Sequence, residues 1–255
     1  MFKSVLKRIE EVGRFFDFLR QVLVSSTKRP FRFSLYLAEI EHIGIESIPV
    51  IILSGLAIGM IFALQMVTML LPFQAEIGTG AAVAVALGRE FAPIITTLML
   101  IAKNGSAMAA VLGTMKVTEQ IDALESMSVD PVQYLVLPRV VASFLTFPAL
   151  TMLANIVGVI GSYFISTKLY GIDSASYLSY MFSVLKPKDI YIGLIKSSIM
   201  GVMVASICCY FGLNVEQGAK GVGDGATRAV VVSSVSILVA DYILATLLMV
   251  LLARV

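Results

Sequence analysis

The chain has 255 residues, of which 58% are hydrophobic and only 14% are charged, with a net charge of +2. Soluble domains carry about 25% charged residues, so this composition excludes an ordinary water-soluble globular protein. Several uncharged runs exceed the roughly 18 residues that mark a membrane span. The sequence therefore predicts an all-α polytopic membrane protein.

The first predicted element is an amphipathic helix within an N-terminal region over residues 1–47. Apolar residues recur at helical spacing from Phe2 to Leu19, with Lys and Arg between them. This pattern is typical of a helix that lies in the membrane interface, and packing against another subunit is the alternative. The segment lacks the apolar core and cleavage site of a signal peptide.

A five-span domain is predicted over residues 48–255, and its first span is the uncharged run 48–73. Residues 77–115 are too long for one straight crossing, because ~1.5 Å per residue gives about twice the ~30 Å hydrocarbon core. We expect this second span to be tilted, broken or extended, with Pro93 and Gly105 as the sites of a break. The remaining spans are predicted over 140–167, 190–213 and 229–253.

A polar stretch, GTMKVTEQIDALESMSVDP, separates the second span from the third. It predicts a helix of about four turns over residues 115–129, with Val117, Ile121 and Leu124 on one side. An acidic face would be repelled by anionic lipids, which favours docking of a protein partner over a solvated connector. The charged residues of the opposite side are Lys116, Glu119, Asp122 and Glu125.

The distribution of Lys and Arg predicts the orientation of the chain. Eight basic residues precede the first span and none lies in the turn between the first two spans. Positive residues accumulate on the cytoplasmic side, so the N-terminus and residues 113–138 and 214–228 are expected there. Residues 170–189 and the C-terminus are then expected outside.

Five charged residues fall at predicted membrane depth: Arg89, Glu90, Lys103, Lys196 and Asp241. A central charge costs roughly 2.5–3.5 kcal/mol on insertion scales, so each should face a cavity or another charge. Two interpretations stay open, namely buried ion pairs that hold the spans together and a charged lining for a lipid headgroup.

A stripe of Phe and Met runs along the first span and its following turn. Such stripes are usually packing or lipid contact. Flexible Met side chains also suit variable acyl chains, so the stripe is a candidate apolar slot. Its members are Phe62, Gln65, Met69, Leu70 and Phe73.

Several kinds of chemistry have no support in the sequence. No G-x-x-x-x-G-K-[ST] motif occurs, and the glycine-rich GVGDGAT at 221–227 is interpreted as a flexible loop. The single histidine, His42, makes no metal-ligand cluster. The chain carries no basic patch with interleaved aromatics, so nucleic-acid binding is not expected.

Two blocks of the chain carry a specific resemblance. GTMKVTEQIDALESMSVDPVQYLVLPRV at 113–140 and LGREFAPIITTLMLIAKNGSAMAA at 87–110 resemble the signature of the MlaE/YrbE family. Its members are permease subunits of ABC transporters that work with MCE proteins. The resemblance covers most of the chain from about residue 40, with a departure at AKNGSA, where Lys-Asn stands in place of Gly-Arg or Arg-Ala.

The resemblance implies an interfacial helix, five spans and a homodimer in the bacterial inner membrane. It implies a cytoplasmic ABC ATPase that carries ATP and Mg, an MCE-domain protein on the periplasmic side, and a small accessory subunit on the ATPase. It places Arg89 and Glu90 near the substrate and makes Leu70 and Phe73 pocket candidates. Residues 115–129 resemble its coupling helix, with these residues expected at the ATPase: Thr118, Glu119, Gln120, Asp122 and Leu124.

The leading hypothesis is therefore a permease subunit that moves phospholipid, with no cofactor bound to this chain itself. A stand-alone secondary transporter would use the intramembrane charges as an ion relay, although no inverted repeat is evident. A membrane scaffold would use the same charges only to hold its spans together. Dependence on ATP separates the first hypothesis from the other two.

Overall fold

The computed structural model describes residues 2–26 and 32–252. Predictions that involve residues 27–31 or 253–255, or the side chains at positions 2–9 and 12, lie outside the described residues. The regular structure of the described part is helical, and five segments are long and apolar enough to cross a membrane. They are Phe33–Phe73, Glu76–Val117, Val132–Leu169, Pro187–Leu213 and Ala219–Leu248, here spans 1 to 5. The predicted all-α polytopic architecture is confirmed.

The described α-helices follow one another in this order: α1 (Phe2–Ser25), α2 (Phe33–Ile43), α3 (Ile48–Leu70), α4 (Thr79–Ala86), α5 (Ala92–Leu100), α6 (Ser106–Val117), α7 (Gln120–Ser126), α8 (Leu137–Phe164), α9 (Ser174–Val184), α10 (Pro187–Leu213) and α11 (Ala219–Leu252). Short 3₁₀ turns occupy Ile45–Ser47, Leu71–Phe73 and Glu76–Gly78. Wider π turns occupy Leu87–Phe91, Ile101–Gly105, Val132–Val136 and Ile165–Leu169.

The centre of the fold is built from α8 and α10, which pack against each other and against α3, α6 and α11. Small residues permit the closest crossings. A Cβ added to Gly59 would overlap the backbone of Gly158, and one added to Gly55 would lie 3.1 Å from the Ala154 carbonyl oxygen. Lipid supplies no hydrophobic force between spans, so such close backbone packing is what holds α3 on α8.

Span 2 is long because it is helical almost throughout, with two π turns inside it. Gly105 ends the second π turn, and Pro93 is the second residue of α5, directly after the first one. The two predicted break sites therefore lie where the α-helical hydrogen-bond pattern changes. The first of these π turns contains Arg89 and Glu90.

The predicted continuous helix over residues 115–129 is wrong. α6 ends at Val117, Glu119 adopts a left-handed conformation with φ of 59°, and α7 covers only Gln120–Ser126. The break turns α7 so that Ile121 is buried and Leu124 packs on the main core. This burial offsets the roughly 1–2 kcal/mol that left-handed backbone costs a residue with a side chain.

The predicted loop at residues 221–227 is also wrong, since α11 begins at Ala219. Its first glycines allow the helix to lie directly on the preceding segment. A Cβ on Gly225 would stand 2.5 Å from the Val215 side chain, and one on Gly221 would overlap the Glu216 backbone. The glycines here permit close packing of a helix and do not mark a flexible loop.

Sequence patterns assigned no element to residues 170–189, where the structure has α9. The Asp173 carboxylate caps the helix by accepting a hydrogen bond from the Ser176 amide at 2.8 Å. Tyr177 is fully buried, bonds the Ser162 hydroxyl at 2.9 Å, and would lie 2.6 Å from a Cβ on Gly80. Burial raises the pKa of the Tyr177 phenol, which therefore stays neutral and holds α9 against α4.

The N-terminal helix α1 packs on the body of its own chain. Phe18 and Val22 are buried, and the rings of Phe15 and Phe18 lie 5.3 Å and 5.6 Å from that of Tyr210 on α10. The Ser25 hydroxyl donates to the Asp130 carboxylate at 3.2 Å, just beyond α7. The end of α1 is thus joined to the segment that connects spans 2 and 3.

Candidate functional site

The intramembrane charges of spans 2, 4 and 5 meet around Lys196. This side chain is fully buried, and its ammonium group lies 2.7 Å from the Asp241 carboxylate. It also donates to the Glu90 carboxylate. Two carboxylates share one ammonium group, so the cluster carries more acidic than basic groups and joins α10 to spans 2 and 5.

Proline in the sequence explains a further contact of Lys196. Pro93 has no amide hydrogen, so it cannot donate to the carbonyl four residues earlier, which belongs to Arg89. The Lys196 ammonium donates to that same Arg89 oxygen at 3.4 Å. The carbonyl that loses its usual α-helical donor to proline therefore accepts from a charged side chain of another span.

A second ion pair joins Arg89 to Asp189, which lies in the first turn of α10. The Nε and Nη2 atoms of Arg89 donate to one Asp189 oxygen at 2.9 and 2.7 Å. The other oxygen accepts from the Lys186 amide at 3.0 Å, so Asp189 also caps α10. Asp189 was not identified from the sequence, although an acid in a first turn that begins with Pro187 is a signal of a helix start.

A cavity of about 770 Å³ lies beside these two ion pairs, between α4 and α9. Its walls are small or apolar, except that Arg89 and Glu90 line one part of it. Their side chains are 33% and 39% exposed, whereas the partners Asp189 and Lys196 are 2% and 0% exposed. The lining is Leu70, Ala75, Ile77, Gly78, Ala81, Ala82, Val85, Ala86, Arg89, Glu90, Tyr180 and Val184.

The structure brings three of the seven predicted cavity residues to this lining, namely Leu70, Arg89 and Glu90. Phe62 packs against Phe91 instead, with ring centroids 4.2 Å apart. The other three are exposed on span 1 or in the turn that follows it: Gln65, Met69 and Phe73. A role in lipid contact stays a prediction for these four residues.

Lys103 lies away from the cavity, beside the break between α2 and α3 in span 1. Its ammonium group donates to the Ser47 hydroxyl at 3.2 Å and lies 3.8 Å from the Glu46 carboxylate. Asn104 is buried and donates to the same hydroxyl at 2.9 Å and to the Ile43 carbonyl at 3.2 Å. The second π turn of span 2 thus holds the break between α2 and α3.

Another ion pair, which was not identified from the sequence, supports the same break between α2 and α3. Arg139 of α8 lies 3.2 Å from the Glu39 carboxylate of α2, and both side chains are largely buried. The five charges that the sequence predicts at membrane depth all have partners of opposite charge. Arg89 pairs with Asp189, and Lys103 lies near Glu46. Lys196 pairs with both Glu90 and Asp241. Buried pairing fits the first of the two interpretations, while the exposure of Arg89 and Glu90 to the cavity leaves room for the second.

At the end of the spans opposite the cavity, the segment around α7 presents a polar surface. Thr118, Glu119, Gln120 and Asp122 are exposed, and Leu124 is half-buried. The Lys116 ammonium donates to the Asp122 carboxylate at 2.8 Å, across the break between α6 and α7. The five residues predicted to contact an ATPase thus lie on one short segment, from the end of α6 through α7.

Comparison with known proteins gives consistent matches. The family model described as Permease MlaE matches residues 36–247. A probable ABC transporter permease protein of Rickettsia bellii is 36% identical over 96% of this chain and 95% of its own length. The intermembrane phospholipid transport system permease protein MlaE of Haemophilus influenzae is 34% identical over 96% of this chain and 95% of its own length. A probable ABC transporter permease protein of Synechocystis is 37% identical over 83% of this chain and 81% of its own length.

Proposed function

Because the chain belongs to the MlaE permease family, we propose that it moves phospholipid as the membrane-spanning subunit of an ABC transporter. The phospholipid would pass between the inner membrane and an MCE-domain partner. A separate cytoplasmic ATPase, which holds ATP and Mg, would supply the energy. A relative of similar length is named for intermembrane phospholipid transport, and the site geometry agrees with such a substrate.

The observation that carries the proposal is the composition of the 770 Å³ cavity. A phospholipid has a charged headgroup and long apolar chains, and the cavity offers both kinds of surface. Arg89 and Glu90 supply one cationic and one anionic group, while Leu70, Val85 and the alanines of α4 supply the apolar wall. The buried partners of both charges keep them in place at membrane depth, where isolated charges are costly.

The α7 segment is the proposed entry point for motion driven by ATP. Its exposed polar residues lie between spans 2 and 3, and Ile121 ties it to the main core. A force on α7 would therefore reach both spans directly. The link between Ser25 and Asp130 would carry the same displacement to α1.

The proposed assembly contains a second copy of this chain, the ATPase, an MCE-domain protein and a small accessory subunit on the ATPase. The proposed orientation has the N-terminus and α7 in the cytoplasm, and α9 and the C-terminus in the periplasm. The basic residues before span 1 support this orientation. Arg14 and Arg20 lie on α1 and Arg32 precedes α2.

Native mass spectrometry of the complex tests this proposal. The protein is extracted gently from its own cells through a tag on this chain. Two copies of the chain, two ATPase copies and a bound phospholipid are the expected result. Reproducible recovery of a homo-oligomer without any ATPase, across several mild detergents, would contradict the proposal and favour a secondary transporter or a scaffold.

A further inference from the structure

The helix α9 forms a wall of the cavity that sequence patterns did not reveal. Tyr180 and Val184 lie one turn apart and both line the cavity. The facing surface of α4 is small, with Ala82 and Ala86 at the cavity and Gly78 just before the helix. The bulky wall therefore comes from α9, and the free space comes from the small residues of α4.

Tyr180 places its ring on the side of the cavity that faces the turn before α4. A Cβ added to Gly78 would stand 3.9 Å from the Tyr180 ring, which is ordinary van der Waals contact. The gap between the ring and the turn before α4 therefore has room for about one methyl group. A larger side chain at position 180 would intrude into the cavity, and a smaller one would widen it.

Residues other than Tyr180 hold α9 in place. A small apolar cluster separate from the main core contains Val67, Ala84, Ile172, Tyr177 and Met181. Tyr180 itself is 48% exposed and does not belong to that cluster. Replacing Tyr180 should therefore alter the cavity without releasing α9, since surface substitutions away from packed features change stability little.

We propose that Tyr180 is a specificity-determining residue that sets the cross-section of the lipid accepted by the cavity. This inference rests on the proposed function, in which the cavity holds phospholipid. The ring of Tyr180 limits the width available to acyl chains beside the small wall of α4. Arg89 and Glu90, in the first π turn of span 2, face the headgroup.

Photo-crosslinking to the purified complex tests the assignment. Two probes carry the same headgroup and a diazirine in an acyl chain, one with two chains and the other with a single chain. The measured quantity is the ratio of two-chain to one-chain labelling on cavity peptides. Tyr180→Trp should lower this ratio about tenfold, the scale of discrimination by small changes in an apolar pocket, and Tyr180→Ala should raise it.

Phe182 provides the matched control. It lies on the same helix, is 69% exposed and does not line the cavity, so Phe182→Trp should leave the ratio at the wild-type value. Thermal unfolding of each variant checks that α9 still packs. A Tyr180 variant with a wild-type unfolding midpoint therefore reports on the cavity itself.

The possible failures have different meanings. If the wild-type cavity is labelled but both Tyr180 variants keep its ratio, the role of Tyr180 is wrong and phospholipid binding stands. If Phe182→Trp shifts the ratio equally, the effect belongs to α9 as a whole and the assignment to Tyr180 is wrong. If neither probe labels the wild-type cavity, the proposed function and the inference built on it both fail.

Discussion

The ammonium group of Lys196 lies 2.7 Å from the carboxylate of Asp241, which joins α10 to α11 within the membrane. Glu90 contacts the same ammonium group from span 2. One buried cation therefore connects three spans, and these spans lie at different places in the sequence. The stability of the helix bundle and the position of Glu90 at the cavity depend on the same side chain.

Removing the Lys196 charge should destabilise the protein strongly. Lys196→Met leaves Glu90 and Asp241 without their shared cation, and breaking a buried pair in this way costs about 3–5 kcal/mol. Thermal unfolding in detergent should show a large fall in midpoint. Lys188→Met is the matched control, because Lys188 lies on the same helix and is exposed. Equal midpoints for the two variants would refute the structural role of the cluster.

Close backbone packing predicts that Gly59 tolerates no side chain. A Cβ at this position would overlap the carbonyl of Gly158, so Gly59→Ala should separate α3 from α8. Overpacking of this kind typically costs about 1–3 kcal/mol. Gly223→Ala is the control, since nothing lies within 4 Å of a Cβ there. A wild-type unfolding midpoint for Gly59→Ala would show that the two helices do not cross this closely.

Glu119 allows the backbone of the α7 segment to be separated from its charge. Its φ of 59° is a conformation that glycine adopts about as readily as a negative φ, so Glu119→Gly should fold at least as well as the wild type. Glu119→Lys should abolish lipid transport while the chain still assembles, because it reverses a charge on the surface that we propose contacts the ATPase. Co-purification and transport are measured together.

Glu216→Lys is the control for this charge reversal, since Glu216 is exposed in the segment between spans 4 and 5, on the α7 side of the bundle. It should transport normally. Normal transport by Glu119→Lys would remove the coupling role from Glu119.

Acid should loosen the start of α9. Hydrogen bonds from Ser176, chiefly from its backbone amide, lower the pKa of Asp173 below the usual 3.8. The folded pKa is the lower one, so the cap stabilises α9 fully above the usual value. The stabilisation is lost as the pH falls through the folded value.

Hydrogen exchange, corrected for intrinsic rates, should therefore show faster opening of α9 as the pH falls below about 4, the usual Asp value. Asp173→Asn keeps a good capping residue and removes the titrating group, so its opening should not change with pH in this range. An equal pH dependence in both proteins would assign the effect to another group.

The sequence predicted what depends on composition and local pattern. Five spans follow from long apolar runs, and the change of helix geometry near Pro93 and Gly105 follows from their backbone chemistry. The expectation that Lys196 and Asp241 need partners follows from the cost of charge in lipid. Each of these inferences uses residues that are close in the chain.

The missed features depend on contacts between distant residues. Asp189 could not be identified from the sequence as the partner of Arg89, because pairing across 100 positions leaves no local signal. The break at Glu119 arises because Ile121 is buried and Leu124 packs against the core, which helical spacing alone does not reveal. The wall formed by Tyr180 could not be predicted because it depends on the position of α9, and sequence patterns assigned no element to that region.

The most direct test of ATP-driven phospholipid transport is a transfer assay with the complex purified through this chain and reconstituted in liposomes. A fluorescent phospholipid is followed from the liposomes to an acceptor, with ATP, without ATP, and with a non-hydrolysable analogue. Transfer is expected to require ATP hydrolysis and to continue when ion gradients are collapsed. Transfer at the same rate without ATP, lost when a proton or sodium gradient is collapsed, would contradict this expectation and identify an ion-coupled transporter.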